Sequence, residues 1–336
     1  RARQPPAHGP MSTDNKRPPL RAGAGISREL ILLGAILVTG LFFALLSPYY
    51  LTQANLEQVL RNSVDLAILS AGMTLIIIMA CIDVSVGGIL AVAAILIGRS
   101  YQAGIGDAGV IVVGLSAGAF LGAVNGTVVA KARVPPIIAT LGMMYIFLAV
   151  LFLVIGGRWI AGLPDGLSFL IRGSVLGIPA GVFLIAGVYG FSYLLLRGLR
   201  FGQHIYAIGS DEKAARLVGI PVDRVKILTY TYLGLLAGLA AVLYVARLRN
   251  VEVNIGTAIA LEAIAAVILG GARINGGVGS LLGTLLGVIF IKSMQNGLVL
   301  IGVSSLWDTV VVGGLLITVL IFDAVRGRSR AREGVE

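Results

Sequence analysis

Charge is scarce in this sequence. Only 12% of residues are Asp, Glu, Lys or Arg, against a hydrophobic share of 57% and a mean hydropathy of +0.96. Soluble domains carry about a quarter charged residues, so a water-soluble globular fold is excluded. Cys81 is the single cysteine, which excludes an internal disulfide. His8 and His204 stand far apart and supply neither metal-ligand spacing nor a Ser–His–acid grouping. The pattern G-x-x-x-x-G-K-[ST] does not occur, so the chain has no phosphate-cradling loop. The net charge of +10 does not point to nucleic acid. The basic residues sit in short loops between oily runs, where they set membrane orientation.

What the sequence has in abundance is glycine, 46 residues, and uncharged runs close to the length of a bilayer crossing. The pattern predicts an all-α polytopic membrane protein with about ten spans in two inverted five-helix repeats. The spans are expected at 29–48, 63–81, 84–101, 108–130, 136–156, 177–197, 226–246, 257–272, 277–300 and 304–324. The stretch 63–101 must hold two spans joined by a very tight turn at "CIDVSVGG", or else one broken helix with a re-entrant half. Residues 1–28 form a basic tail, of which 1–10 precede Met11 and read as an appended or upstream read-through segment. The membrane domain runs over 29–325, with repeats at about 29–175 and 177–325, a polar loop at 198–225 and a tail at 326–336.

With the N-terminus inside and the spans alternating, the cytoplasmic segments hold about 19 basic residues, among them Lys131, Arg133, Arg197, Arg200, Lys213, Arg216, Arg224, Lys226 and Arg273. The outer loops hold about five: Arg61, Arg158, Arg172, Arg247 and Arg249. Both ends are therefore expected on the cytoplasmic side. The segments "GAFLGAVNGTVVAK" (118–131) and "GSLLGTLLGVIFIK" (279–292) share G-x-x-x-G-x-x-x-G-x-x-x-x-K. Gly118, Gly122, Gly126 and Lys131 align with Gly279, Gly283, Gly287 and Lys292. Glycines four apart make a stripe where another helix approaches closely. Such stripes recur by chance in glycine-rich membrane chains. Their placement on the fourth and ninth spans, running in opposite directions, favours an inverted repeat.

The charged stretch "YAIGSDEKAARLVGIPVDRVK" (206–226) reads as a short helix with marked ends. Ser210 suits the N-cap, and Asp211 and Glu212 suit the positive end of the dipole. Gly219 can take the left-handed stop and Pro221 prevents continuation. Ala214, Ala215, Leu217 and Val218 offer small and apolar contacts. Such a helix docks into a partner's groove or lies on the membrane surface.

Four stretches together resemble the permease subunits of ABC importers of the ribose/xylose/arabinose/autoinducer-2 type, in the superfamily of the branched-chain amino-acid permeases. They are "IDVSVGG" (82–88), "GAVNGTVVAKARVPPIIATLGMM" (122–144), "AIGSDEKAARLVGIPVDRVK" (207–226) and "AVILGGARINGGVGSLLGTLLG" (266–287). The likeness covers about 30–325. Cys81 stands where the family usually has glycine, and Ser210 where asparagine is common. The resemblance implies a non-enzymatic subunit of the bacterial inner membrane that imports a sugar or sugar-like solute. It implies that Ser210, Asp211, Glu212, Ala214, Ala215, Leu217 and Gly219 form a coupling helix seated in a separate cytoplasmic ATPase. ATP and Mg would be bound by that ATPase, and no cofactor by this chain. The other implied partners are a second permease, identical or homologous, an extracytoplasmic solute-binding protein and membrane lipid.

Polar residues inside spans are costly, roughly 2.5–3.5 kcal/mol each when ionised. The candidate path residues are Asp83, Ser85, Asn125, Thr140, Glu262 and Asn296. Asp83 reads as a hinge or path-lining acid, or as a helix cap at a cytoplasmic turn. Glu262 reads as path-lining or as snorkelling to an interface. Asn125, Thr140, Asn275 and Asn296 read as interhelix hydrogen-bonders or ligand contacts. Lys292 reads as a gate or interhelix partner, and Trp307 as an interface anchor. Two competing readings are an ion-coupled secondary transporter using Asp83, Glu262 or Asp308, and a channel or scaffold.

Overall fold

The computed structural model describes residues 28–156, 159–252, 255–256, 258–304, 306–308, 310–314 and 317–318. Helix α1 spans Arg28–Leu46, α2 Gln53–Ile78, α3 Val86–Gln102, α4 Asp107–Lys131 and α5 Pro136–Ile155. A short helix α6 (Phe169–Arg172) and a small hairpin, β1 (Ser174–Val175) and β2 (Ile178–Pro179), lead to α7 (Ala180–Tyr193). A π-helical turn (Leu194–Gly198) joins α7 to α8 (Arg200–Ser210). Then come α9 (Glu212–Leu217), α10 (Val222–Leu248), α11 (Ile259–Leu269) and α12 (Leu281–Leu300). Among the described residues, seven helical segments are long and apolar enough to cross a membrane, and α3 and α11 are shorter apolar helices. The basic tails at 1–27 and 319–336 and much of the expected tenth span lie outside the described residues.

Burial sorts the helices into centre and rim. Helix α2 is buried without interruption from Ser63 to Ile78, and a helix apolar all round belongs in the interior. It packs against α10, whose inner face is also buried. Helices α3 and α4 lie against α10, while α11 and α12 lie against α2. Helices α1, α4 and α5 present Leu37, Leu45, Phe120, Tyr145 and Leu153 outward, the side expected to meet lipid.

Each glycine stripe closes a helix pair to backbone contact. A Cβ on Gly118 would lie 2.2 Å from the Gly234 carbonyl oxygen, and one on Gly122 2.3 Å from that of Tyr230. These contacts pin α4 to α10. On α12, a Cβ on Gly283 would lie 2.0 Å from the Gly270 oxygen and one on Gly287 2.2 Å from the Ala266 oxygen. In the second stripe Gly283 and Gly287 pack on α11 and its exit, while Gly279 meets α2. The end of α4 meets the start of α10 through Lys131 and Asp223, 3.6 Å apart. Gly279, just before α12, lies against Ile78 at the end of α2. Helix α4 thus runs toward the face carrying α9 and α12 runs away from it, the opposition an inverted repeat requires.

The second expected span needs correcting. It begins at Gln53, ten residues before the expected 63, with Thr52 as its N-cap. Gln58, Asn62 and other polar residues in its first turns conceal that start. The chain does not fold back at 79–85 as a close hairpin. Helices α2 and α3 do not pack side by side; α10 packs against both. The break sits inside the protein. The Ile82 carbonyl accepts from the Tyr230 hydroxyl at 3.4 Å, and Tyr230 is about 12 Å along α10 from its start. Helix α3 has 17 residues and α11 has 11, about 25 and 16 Å, both short of a 30 Å hydrocarbon core. Their approaches meet: a Cβ on Gly87 would lie 2.0 Å from the Gly256 oxygen, and one on Gly256 2.1 Å from the Gly87 oxygen.

The stripe generates a prediction. Gly122→Leu should force α4 off α10 and cost at least roughly 1–3 kcal/mol, seen as a lower melting temperature of the detergent-purified chain. Gly142→Leu, on α5 where a Cβ would meet nothing within 4 Å, should leave melting unchanged.

Candidate functional site: an internal cavity, a buried polar cluster and a fastened surface helix

A cavity of about 760 Å³ opens on the side away from α9. Its wall comes from the first turns of α2 (Gln58, Asn62, Asp65), the end of α10 (Tyr244, Arg247), the start of α11 (Glu262) and α12 (Lys292, Gln295, Asn296). Polar side chains in a chain this apolar need partners, and they find them in pairs across helices. Arg247 meets Asp65 at 2.5 Å. Lys292 donates to Glu262 at 2.8 Å and to Gln295 at 2.9 Å, while Gln295 donates to Glu262 at 3.2 Å. Asn296 and Asn55 face each other at 2.9 Å. The cavity thus offers fixed donors and acceptors in an apolar shell, the arrangement that holds a small polar solute loosely. Lys292 has its interhelix partner in Glu262.

Of the expected path residues, Glu262 lines this cavity and Asn296 does too. Asp83, Ser85, Asn125 and Thr140 are not among its lining residues and form a closed cluster at the start of α3, each 0 or 1% exposed. Asp83 Oδ1 accepts from the Ser85 amide at 2.8 Å and the Ser85 hydroxyl at 2.5 Å. Asn125 Nδ2 donates to Ser85 Oγ. Thr140 Oγ1 accepts from the Val84 amide at 3.2 Å. Asp83 therefore holds Ser85, the N-cap residue of α3, at a break within the membrane domain, deeper than a cytoplasmic turn. Two of the four sequence motifs, 82–88 and 122–144, meet here.

The other two motifs meet at α9. A Cβ on Gly209 would strike the Ile78 oxygen, and the Gly277 amide donates to that same oxygen at 2.8 Å. Ser210 is not the cap of the charged helix. It closes α8, with its hydroxyl donating to the Tyr206 carbonyl. Asp211 is the cap, its Oδ1 accepting from the amides of Lys213 and Ala214 at 2.8 and 3.0 Å. The carboxylate reaches both orphan amides from its extended backbone position. Gly219 takes the left-handed stop at φ +83°. Ala214 is exposed, whereas Ala215 is buried on the inner face. What α9 presents outward is Leu217, 88% exposed, and Val218, 76% exposed.

Two of the three charges of α9, Glu212 and Arg216, are paired. Glu212 pairs with Arg216 at 2.9 Å and Lys226 at 2.8 Å, Arg216 with Asp223 at 2.8 Å, and Asp223 with Lys131 at 3.6 Å. This chain of contacts ties α9 to α10 and to the end of α4. Partial burial pushes the Glu212 carboxyl up, but hydrogen bonds and charge from Lys226 and Arg216 outweigh it and hold the carboxyl below its ordinary value of 4.5.

Sequence reasoning passed over Gln58 and Asn62 because it began the span at 63, and passed over Asp65, which it placed inside that span. The signal was there: positions 58, 62 and 65 follow helical spacing and share one face. Arg247 read as a loop residue, although it is the last-turn partner of a buried carboxylate.

Comparisons with known proteins agree over most of the chain. The family described as branched-chain amino acid transport system / permease component matches residues 55–320. The ribose import permease protein RbsC of Escherichia coli (strain K12) is 37% identical over 297 residues, covering 86% of this chain and 91% of the relative. RbsC of Bacillus subtilis (strain 168) is 35% identical over 301 residues, covering 89% and 94%. The autoinducer 2 import system permease protein LsrC of Klebsiella pneumoniae is 36% identical over 307 residues, covering 91% and 89%. No solved structure matches.

The paired charges generate two tests. Lys292→Met should destabilise the chain more than the double variant Lys292→Met/Glu262→Gln, by roughly 1–3 kcal/mol in thermal melting, because the single change strands a half-buried carboxylate. The share of stability that Glu212 supplies is present above its unfolded value near 4.5 and is lost as pH falls through its lower folded value. Glu212→Gln at neutral pH should therefore reproduce the acid state, with faster hydrogen exchange in the α9 amides than in the parent at the same pH.

Proposed function

Because the chain belongs to the branched-chain amino acid transport system permease family, we propose that it is the membrane subunit of an ATP-driven importer for a sugar or sugar-like solute in the bacterial inner membrane. The observation that carries this is the pairing of a polar cavity on one side with a fastened helix bearing an exposed apolar tip on the other. The cavity residues Glu262, Asn296, Asp65, Arg247 and Gln295 form the entry to the path. The cluster at Asp83, Ser85, Asn125 and Thr140 closes the chain's break below it. Helix α9 couples to a cytoplasmic ATPase that binds ATP and Mg, and Leu217 and Val218 are its contact residues. A solute-binding protein delivers to the cavity side, and a second permease, identical or homologous, completes the path. Both termini lie on the α9 side, in the cytoplasm.

The charge distribution supports that orientation. Among the described residues, Arg61, Arg99, Arg172, Arg247 and Arg249 on the cavity side all make hydrogen bonds or ion pairs. The exposed basic residues without such partners lie on the α9 side, as the positive-inside rule expects of the cytoplasmic face. An ion-coupled transporter would draw on Asp83, Glu262 or Asp308; Glu262 is already paired with Lys292 and Asp83 is held by Ser85, whereas Asp308 lines the cavity with its Oδ1 unpartnered among the described residues.

The test is purification of the tagged chain from native membranes. A stoichiometric ATPase partner is expected, and Leu217→Glu/Val218→Glu should reduce its recovery at least ten-fold while the melting temperature stays unchanged. Ala215→Leu should instead lower melting, since Ala215 faces inward. Uptake that follows a proton or sodium gradient with no ATPase partner would overturn the reading.

A further inference from the structure

A second crevice, of about 520 Å³, lies on the α9 side between the start of α1, the π-helical turn and the start of α12. Arg197 and Arg273 line it, together with Tyr206, Ser280 and one acid, Glu29. Among the described residues neither guanidinium makes an ion pair or a side-chain hydrogen bond; Arg273 uses only its backbone, its amide donating to the Val278 carbonyl and its carbonyl accepting from the Gly276 amide. The π-turn sets Arg197 on the crevice wall, and the turn at 273–278 sets Arg273 on it. Leu281 and Leu282, the first residues of the 20-residue helix α12, also line it, so amides of an unpaired first turn add positive potential. Ser280 caps only the Gly283 amide.

The rim of this crevice is oily. Leu282 is 62% exposed, Tyr193 61% and Leu194 52%, and Leu30 and Ile31 of α1 stand out beside them. These side chains belong to membrane helices, so a molecule in the crevice meets two free cations at one end and a lipid-facing apolar wall at the other. A hydrated free anion would leave that wall without a partner. A basic pocket between membrane helices at the interface suits a lipid head group.

We infer that this crevice is a binding site for the phosphate of an anionic phospholipid in the leaflet on the α9 side, clamped by Arg197 and Arg273. The acyl chains run along Leu282, Tyr193 and Leu194 beside α1. Arginine is suited to this role because its planar fork meets two phosphate oxygens at once. The inference rests on the chain being membrane-embedded and not on its coupling to an ATPase.

The experiment is native mass spectrometry of the full chain in detergent, titrated with phosphatidylglycerol and with phosphatidylcholine of the same acyl chains. Phosphatidylglycerol should be retained in preference, and Arg197→Gln or Arg273→Gln should each weaken its retention about five-fold. Arg133→Gln/Arg224→Gln, removing exposed cations of the same face outside the crevice, should leave retention as in the parent. Thermal melting checks that each variant is folded. Equal retention of the two lipids overturns the site, as does a parent-like Arg197→Gln/Arg273→Gln double variant. So does an equal loss from the Arg133→Gln/Arg224→Gln control. If millimolar inorganic phosphate binds the delipidated chain and displaces phosphatidylglycerol, the crevice is a soluble-anion site and the lipid assignment falls.

Discussion

The contact on which the rest depends is the backbone-to-backbone seam between α4 and α10. Inside a bilayer there is no hydrophobic drive to bring two helices together, so closeness must come from small residues and dispersion. Gly118 and Gly122 on one side and Gly234 and Gly238 on the other let the two backbones touch along the seam. Its tightness fixes α10, and α10 in turn supports α2 and α3 on either side of the chain's internal break. The Asp83–Ser85 pair is positioned by that support, since Asn125, which holds Ser85, sits on α4 one residue before a stripe glycine. The polar cluster is thus a by-product of where the glycines let α4 come to rest.

Much of this was legible in the sequence because lipid restricts the choices. Backbone groups in hydrocarbon must be satisfied within the segment, so long uncharged runs read as helices, and α4, α5 and α10 lie within a few residues of their expected limits. The misreadings arose where a polar residue belonged to a helix. Gln58 and Asn62 look like loop until the cavity is seen to receive them, and Asp65 carries no signal of its partner, since Arg247 lies 182 residues away. The cap of α9 was displaced by one residue because serine and aspartate stand side by side. What decided between them is that Ser210 still extends α8, a continuation that local preference alone does not reveal. The grouping of Glu262 with Asn296, and the separation of both from Asp83, depend on helix packing and not on spacing along the chain.

The two sides of the molecule treat charge differently. Toward the cavity, each described cation is tied to a carboxylate, an amide oxygen or a carbonyl, which keeps the cavity wall fixed in shape. Toward α9, Arg133, Arg197, Arg200, Lys213, Arg224 and Arg273 are exposed. One side holds its charges in fixed pairs around a cavity, and the other leaves positive potential at the surface.

The run of contacts Lys131–Asp223–Arg216–Glu212–Lys226 has a mechanical meaning. Lys131 ends a helix of the first half of the chain, Asp223 and Lys226 begin a helix of the second, and α9 is strapped to the second while Asp223 also meets the first. A six-residue helix is too short to act as a lever on its own. Fastened by Glu212 and Arg216 to the start of α10, it is rigidly joined to that end, so a displacement of α9 would move the start of α10 and reach α4 across the glycine seam.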